Sequence, residues 1–298
     1  SVVMKERPWT VAGPSSTDPL GGVSGLPVLP AYSLGLTLMN PLSHTLETDQ
    51  NGILGIALFV LASGFGLFIV RQLRGSRRNT HHHEVFGYFF AVAGGIYGVL
   101  LGLVVVNAMT YFDDAKASVT EEGSILTSIY MVAESQPAKD REDIQGLAED
   151  YVHSVLDDEW RTMAATGHRS ENTHAILDRL VRHVVHLDTT KEGSYTQLLD
   201  LAHSLLKVRH DRLEFAKHEI PVIEWFSLCL GGIIIIAFSY SFILENIWVQ
   251  LAGTMLLSTM IALNIYLVLS FSSPFSGNLA VSDQAFRDTL STYRELKL

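Results

Sequence analysis

Four long apolar runs, Ile53–Val70, Phe86–Phe112, Val222–Leu244 and Val249–Phe271, dominate this 298-residue chain. None contains Lys, Arg or Asp, and only the third holds a Glu, Glu224, near its start. At ~1.5 Å of rise per residue each run reaches across a ~30 Å hydrocarbon core, the first one barely. Backbone amides in lipid must be satisfied within the segment, so such runs are helices. The runs form two pairs around a polar insert, residues 113–220. The expected fold class is therefore all-α: a polytopic membrane protein with four transmembrane helices and a helical-bundle domain inserted between the second and third. The corresponding division is an N-terminal Pro/Gly-rich arm (1–52), transmembrane helices 1 and 2 (53–112), a soluble bundle (113–220), transmembrane helices 3 and 4 (221–271) and a C-terminal tail (272–298). The lipid bilayer is the first partner such a chain requires.

Composition agrees: hydrophobic residues make up 48% and mean hydropathy is +0.24 despite the polar insert, an excess that lipid-facing surface explains. The single cysteine, Cys229, lies in the third run and forms no intrachain disulfide; it reads as apolar filler. No positively charged segment followed by an apolar one opens the chain, so no secretory signal is expected. Most of the nine prolines fall in the arm, which reads as extended or loosely ordered. Its Leu34–Leu42 stretch is too short to span a membrane and fits an interfacial segment.

The loop between the first two runs carries Arg71, Arg74, Arg77 and Arg78, followed by His81, His82 and His83. Arginines concentrated in a short loop mark the cytoplasmic side. On that rule both termini and the insert are extracytoplasmic. Lys207, Arg209, Arg212 and Lys217, at the insert's return to the membrane, pull the other way.

The insert reads as helices throughout. Asp113–Ser135 continues the second run without a break until Gln136-Pro137. Ala138–Ala165 is expected to form one helix, with Ile144, Leu147, Tyr151, Val155 and Trp160 along one stripe and Gly167 ending it. Ile176, Leu180 and Val184 mark the next helix, and Leu198, Leu201, Leu205 and Leu213 the last, which stops at Pro221. Short connections favour antiparallel neighbours and hence a bundle standing on the membrane.

The second run repeats small residues at Ala91, Gly94, Gly95, Gly98 and Gly102. Such a face packs closely against a neighbouring helix or lines a pore. Asn107 and Asn264 are polar groups inside the runs that either mark a pathway or hydrogen-bond each other. The insert holds 21 acidic and 12 basic residues, and Asp113, Asp114, Glu121 and Glu122 stand just beyond the second run. Repeated around an axis they form an acidic collar that gathers cations; otherwise they are a solvated face. No basic patch interleaves with aromatics, which argues against nucleic acid. Only one Glu-x-x-His, Glu171 to His174, occurs where a di-iron bundle needs two, so no metal and no cofactor are expected. Phosphate-loop and Gly-x-Ser-x-Gly motifs are absent from the sequence, so enzymatic chemistry has no motif to rest on.

The stretch from His83 through Glu84, Gly87, Gly94, Gly95, Gly98 and Gly102 to Val106, the acidic continuation from Tyr111 to Glu122, and the closing Pro274, Phe275, Gly277, Val281, Ser282 and Phe286 resemble the bestrophin-like family of four-span bacterial membrane proteins, from whose pattern Phe86 departs, standing where a small residue is usual. The resemblance covers about residues 53–290. It implies a bacterial inner membrane. Bestrophins proper are pentameric ion channels whose second spans surround the pore, so it also implies that the second run lines a conduit. In bestrophins the helical domain is cytosolic, opposite to what the arginine loop predicts. Two functions are compatible with these features. One is an oligomeric ion channel with Gly94, Gly98, Gly102 and Asn107 facing the pore and the collar favouring cations. The other is a non-conducting accessory or scaffold subunit of a larger membrane complex, using the arm and bundle as contact surfaces.

Overall fold

The computed structural model describes residues 49–74, 83–187, 192–217, 221–242, 244, 246–277 and 279–297. The arm before residue 49, with its Leu34–Leu42 segment, lies outside the described residues, as do Arg77, Arg78, His81, His82 and Glu245. Among the described residues every regular element is helical. In chain order they are α1 (Asp49–Arg74), α2 (His83–Ala133), α3 (Ala138–Ser154), a π-helical turn (Val155–Glu159), α4 (Trp160–Thr166), α5 (Glu171–Val185), α6 (Glu192–Lys217), α7 (Val222–Ser239), α8 (Ile247–Ser272) and α9 (Gln284–Leu296).

Three helices are long and apolar enough to cross a membrane: α1, α2 and α8. The fourth, α7, is apolar but shorter, 18 residues or ~27 Å at 1.5 Å per residue. It ends before Leu244 because the chain turns at Tyr240. The Tyr240 and Ser241 amides close a tight last turn on the Ala237 and Phe238 carbonyls at 3.2 and 2.9 Å, and the Tyr240 hydroxyl donates to the Ser63 carbonyl of α1 at 2.7 Å. On α8, Ser258 donates to the Ser63 hydroxyl at 2.7 Å, so these polar groups satisfy one another in an apolar layer. Asn264 gives its amide to the Met260 carbonyl of its own helix at 2.8 Å. The expected pairing with Asn107 does not form; a carbonyl one turn back is the nearer acceptor.

Helix α2 is the organising element. Its 51 residues run ~76 Å without interruption, from the apolar layer into the bundle. Leu101, Ala108, Ala115, Glu122 and Ile129 recur every seven residues and are all buried. A seven-residue recurrence keeps one helix face pointed at the same neighbours. The upper part of this face meets α7, where Tyr97 lies over Gly231 and Gly232. A methyl group on Gly231 would sit 2.5 Å from the Tyr97 ring, whose hydroxyl donates to the Leu228 carbonyl at 3.0 Å. Close backbone approach in the apolar layer thus occurs at the glycines of α7.

The lower part of the face packs in the bundle, in one core with Ile144, Tyr151, Leu177, Leu180, Leu198, Leu205 and residues of α9. The helix ends at Ala133, and the Glu134, Ser135 and Gln136 amides close tighter turns on Met131, Val132 and Ala133 before Pro137 starts α3. The expected single helix Ala138–Ala165 is interrupted by the π turn, which inserts one residue and rotates everything after it. Gly167 ends α4 with φ 66°, its amide returning to the Met163 carbonyl at 2.8 Å. Within residues 272–298, expected to be a tail, helix α9 instead packs on the bundle. In α9, Phe286, Thr289, Leu290 and Tyr293 are buried, Tyr293 stacks on Tyr130 with ring centroids 4.2 Å apart, and Thr289 donates to the Gly123 carbonyl at 3.2 Å.

Candidate ion pathway and the charge network beneath it

In its apolar half α2 presents a face that none of the described residues covers. A Cβ added at Gly94, Gly95, Gly98 or Gly102 would meet no atom within 4 Å. Among the described residues, then, the glycines pack against no helix, and their surface is open to lipid, water or another polypeptide. Large apolar side chains flank them, with Val92, Ile96, Val99, Leu103 and Val106 all exposed. Asn107 is exposed as well, as are Asp113, Asp114 and Glu121. At roughly 100° per residue Asp113 falls on the glycine face, whereas Asn107, Asp114 and Glu121 cluster on roughly the opposite side of the helix.

Glu122 parts from the collar altogether. It is fully buried, and its carboxylate accepts from the Arg212 Nε at 2.6 Å, from Arg212 Nη2 at 3.2 Å and from the Tyr151 hydroxyl at 2.5 Å. Arg212, also fully buried, turns Nη2 to Glu159 at 2.7 Å. Arg209 completes the set with bonds to Glu159 at 3.2 and 2.5 Å. Two carboxylates and two guanidiniums thus cancel inside the bundle, every oxygen accepting a bond. The π turn makes this possible, since it swings Glu159 inward, where the Ser170 amide also donates to it at 3.2 Å. Burial alone would push the Glu159 carboxyl up; the Arg212 and Arg209 guanidiniums outweigh it and hold it below the ordinary carboxylate range. Burial likewise opposes the charge on Arg212, and Glu122 and Glu159 more than compensate, raising it further above its ordinary value.

The closing motif docks on this network. The Arg212 guanidinium lies 5.6 Å from the Phe286 ring centre and 6.0 Å from that of Trp160, within cation–π range. Phe275 meets Trp160 edge-on at 5.7 Å. Pro274 and Phe275 are buried, the Pro274 carbonyl accepts from the Val281 amide at 2.7 Å, and Gly277 adopts φ 76°, which favours glycine. The motif is thus a turn that carries the Phe286 ring onto the arginine and the Phe275 ring onto Trp160. Glu159, Arg209, Arg212, Tyr151 and Trp160 were not singled out as a site from the sequence. The five-residue step from Val155 to Trp160, one longer than a helical turn allows, was the available sign of the π turn.

Arg209 and Arg212 are consequently neutralised within the bundle and no longer weigh in the distribution of exposed charge. At the other end Arg71 donates to the Gln250 side chain at 3.0 Å and to the Leu244 carbonyl at 3.2 Å, tying α1 to the start of α8. No cluster of three or more metal-ligating side chains occurs among the described residues.

A sequence profile described as the Bestrophin-like domain matches residues 57–286, more than half of the chain. Among solved structures the fold is similar to two variants of a bacterial bestrophin homologue from Klebsiella pneumoniae. One is 13% identical with TM-score 0.59, covering 82% of this chain and 97% of that one. The other is 14% identical with TM-score 0.57, covering 81% and 97%. A third structure, described as a membrane protein, is 13% identical with TM-score 0.56 over 81% and 97%. No curated protein matches the chain. The profile match, the all-helical fold and the apolar helices together make this chain an integral membrane protein of the bestrophin-like family.

Proposed function

We propose that the protein is a four-span homo-oligomer in which copies of α2 surround an axis and form a path for small ions, with cations preferred. The observation that carries this is the uncovered glycine face of α2. It is smooth, apolar at its flanks and free of contacts with the other described residues, while the lower half of the same helix is fixed in the bundle by Glu122 and Arg212. A helix held rigidly at one end and bare at the other suits assembly around an axis. Family membership supports the reading, because bestrophin homologues are ion channels. In such an assembly Asp113 recurs once per copy near the mouth, on the glycine side. Repeated carboxylates between low-dielectric walls focus their field even though single exposed charges fade over ~8 Å.

The test is the reversal potential of purified protein in liposomes under a salt gradient. The expected result is a preference for small cations over chloride that Asp113→Asn reduces more than Asp114→Asn does. An anion preference, or one untouched by Asp113→Asn, would remove the acidic collar from the mechanism.

The arginine loop favours a cytoplasmic position for Arg71 and an extracytoplasmic bundle, whereas the arrangement in bestrophins is the reverse. A cysteine at Gly167 is expected to react with impermeant reagents in intact cells if the loop governs; protection there assigns the bundle to the cytoplasm.

A further inference from the structure

Where α6 returns towards the membrane, a cavity of about 610 Å³ opens between its last turns and the start of α5. Basic side chains line it: His168, Arg169 and His174 from the α4–α5 turn and α5, and Arg209, His210 and Lys217 from α6. Among the described lining residues Glu171 is the one acidic side chain. The volume lies within the usual range for small-molecule sites.

The cations differ in how firmly they are held. Arg209, 5% exposed, forms the fixed floor through its pairing with Glu159. Arg169 pairs with Glu171 at 3.2 Å and Lys217 with Glu214 at 3.1 Å, but all four side chains are about half or more exposed. Exposed pairs of this kind contribute little and exchange readily for a better acceptor.

Position narrows the anion. The Tyr111 hydroxyl, in the last turn of the apolar half of α2, donates to the Phe215 carbonyl at 3.1 Å, and the two rings meet at 5.0 Å. Lys217 is two residues further on, and Gly167, next to the lining residue His168, packs so closely on α6 that a Cβ added to it would lie 3.2 Å from the Ala216 carbonyl. Both rims therefore stand at the level where α2 leaves its apolar run. Guanidinium and ammonium groups converging at that depth suit a phosphate, which offers several strong acceptors.

We propose that this cavity binds the phosphate of an anionic phosphate ester, presented by a lipid headgroup or by a free molecule. The site is independent of whether the protein conducts ions. The full-length protein is placed in nanodiscs of phosphatidylcholine alone and titrated with glycerol phosphate, and separately reconstituted with phosphatidylglycerol; phosphorus NMR reports the bound fraction. An Arg169→Gln/Lys217→Gln double variant, changed only at exposed positions, is compared at equal thermal stability. The expected result is saturable binding of one or both probes that the double variant weakens about tenfold or more, as loss of two charge-assisted contacts implies. Binding of glycerol phosphate assigns a soluble ligand. Binding of phosphatidylglycerol alone assigns the headgroup. Equal binding by wild type and variant, or binding of neither probe, overturns the proposal.

Discussion

Replacing Arg212 with leucine is expected to lower the stability of the bundle by about 3–5 kcal/mol, because it strands buried carboxylates without their partner. Arg212 spans Glu122 of α2 and Glu159 of the π turn, and all three side chains are fully buried. Its loss leaves Glu122 with only the Tyr151 hydroxyl and Glu159 with Arg209 and the Ser170 amide. At roughly 2–4 °C per kcal/mol for a chain of this size, thermal unfolding in detergent should fall by on the order of 10 °C. Arg212→Lys should restore only part of that, since an ammonium cannot bond both carboxylates in one plane. The same network sets an acid response. Glu159 titrates below its ordinary value of 4.5 in the folded protein, so its contribution is fully present above that pH and is lost as pH falls through the lower, folded value. Wild-type stability should therefore hold from neutral pH to about pH 5 and drop below it, and the drop should be smaller in Arg212→Leu. An unchanged unfolding temperature in the variant would mean that the bonds to Arg212 do not hold the bundle.

Gly98→Leu should have the opposite profile, sparing the single chain and stopping ion passage. No described residue lies within 4 Å of a Cβ at Gly98, so the described part of the protomer accommodates the isobutyl group without rearrangement. Around an axis the same group enters the conduit once per copy. Where it meets a neighbouring helix instead, overpacking costs roughly 1–3 kcal/mol per contact and weakens assembly. Gly231→Leu provides the contrast, since even a methyl there runs into the Tyr97 ring at 2.5 Å, and should destabilise the chain itself. Flux and assembly equal to wild type in Gly98→Leu would show that this face meets lipid.

Much of the fold is legible in the chain because the membrane leaves few alternatives. The apolar runs specify helices, and the absence of a breaker between Phe112 and Gln136 specifies one continuous α2. Glu122 shows what was legible yet misread. It was grouped with its neighbour Glu121 as surface charge, but the seven-residue recurrence of Leu101, Ala108, Ala115, Glu122 and Ile129 already puts it on the inward face. Adjacent helical residues point about 100° apart, so proximity in sequence was the wrong guide. The partners could not be read in the same way. Arg209 and Arg212 looked like exposed charge before the membrane, and only the tertiary crossing of α6 on α2, together with the π turn that rotates Glu159, turns them inward. The closing segment was underread for a related reason: Phe286, Leu290 and Tyr293 make one short apolar stripe whose partner, α2, lies far away in sequence.

The glycine face of α2 is central to the functional reading, and what covers it is decided by the mass of the assembly extracted from native membranes. Chains arranged around an axis require a particle that holds several copies of this chain and no other polypeptide. A single copy, either free or among unlike subunits, would contradict the conduit and leave the protein as a scaffold within a larger membrane complex.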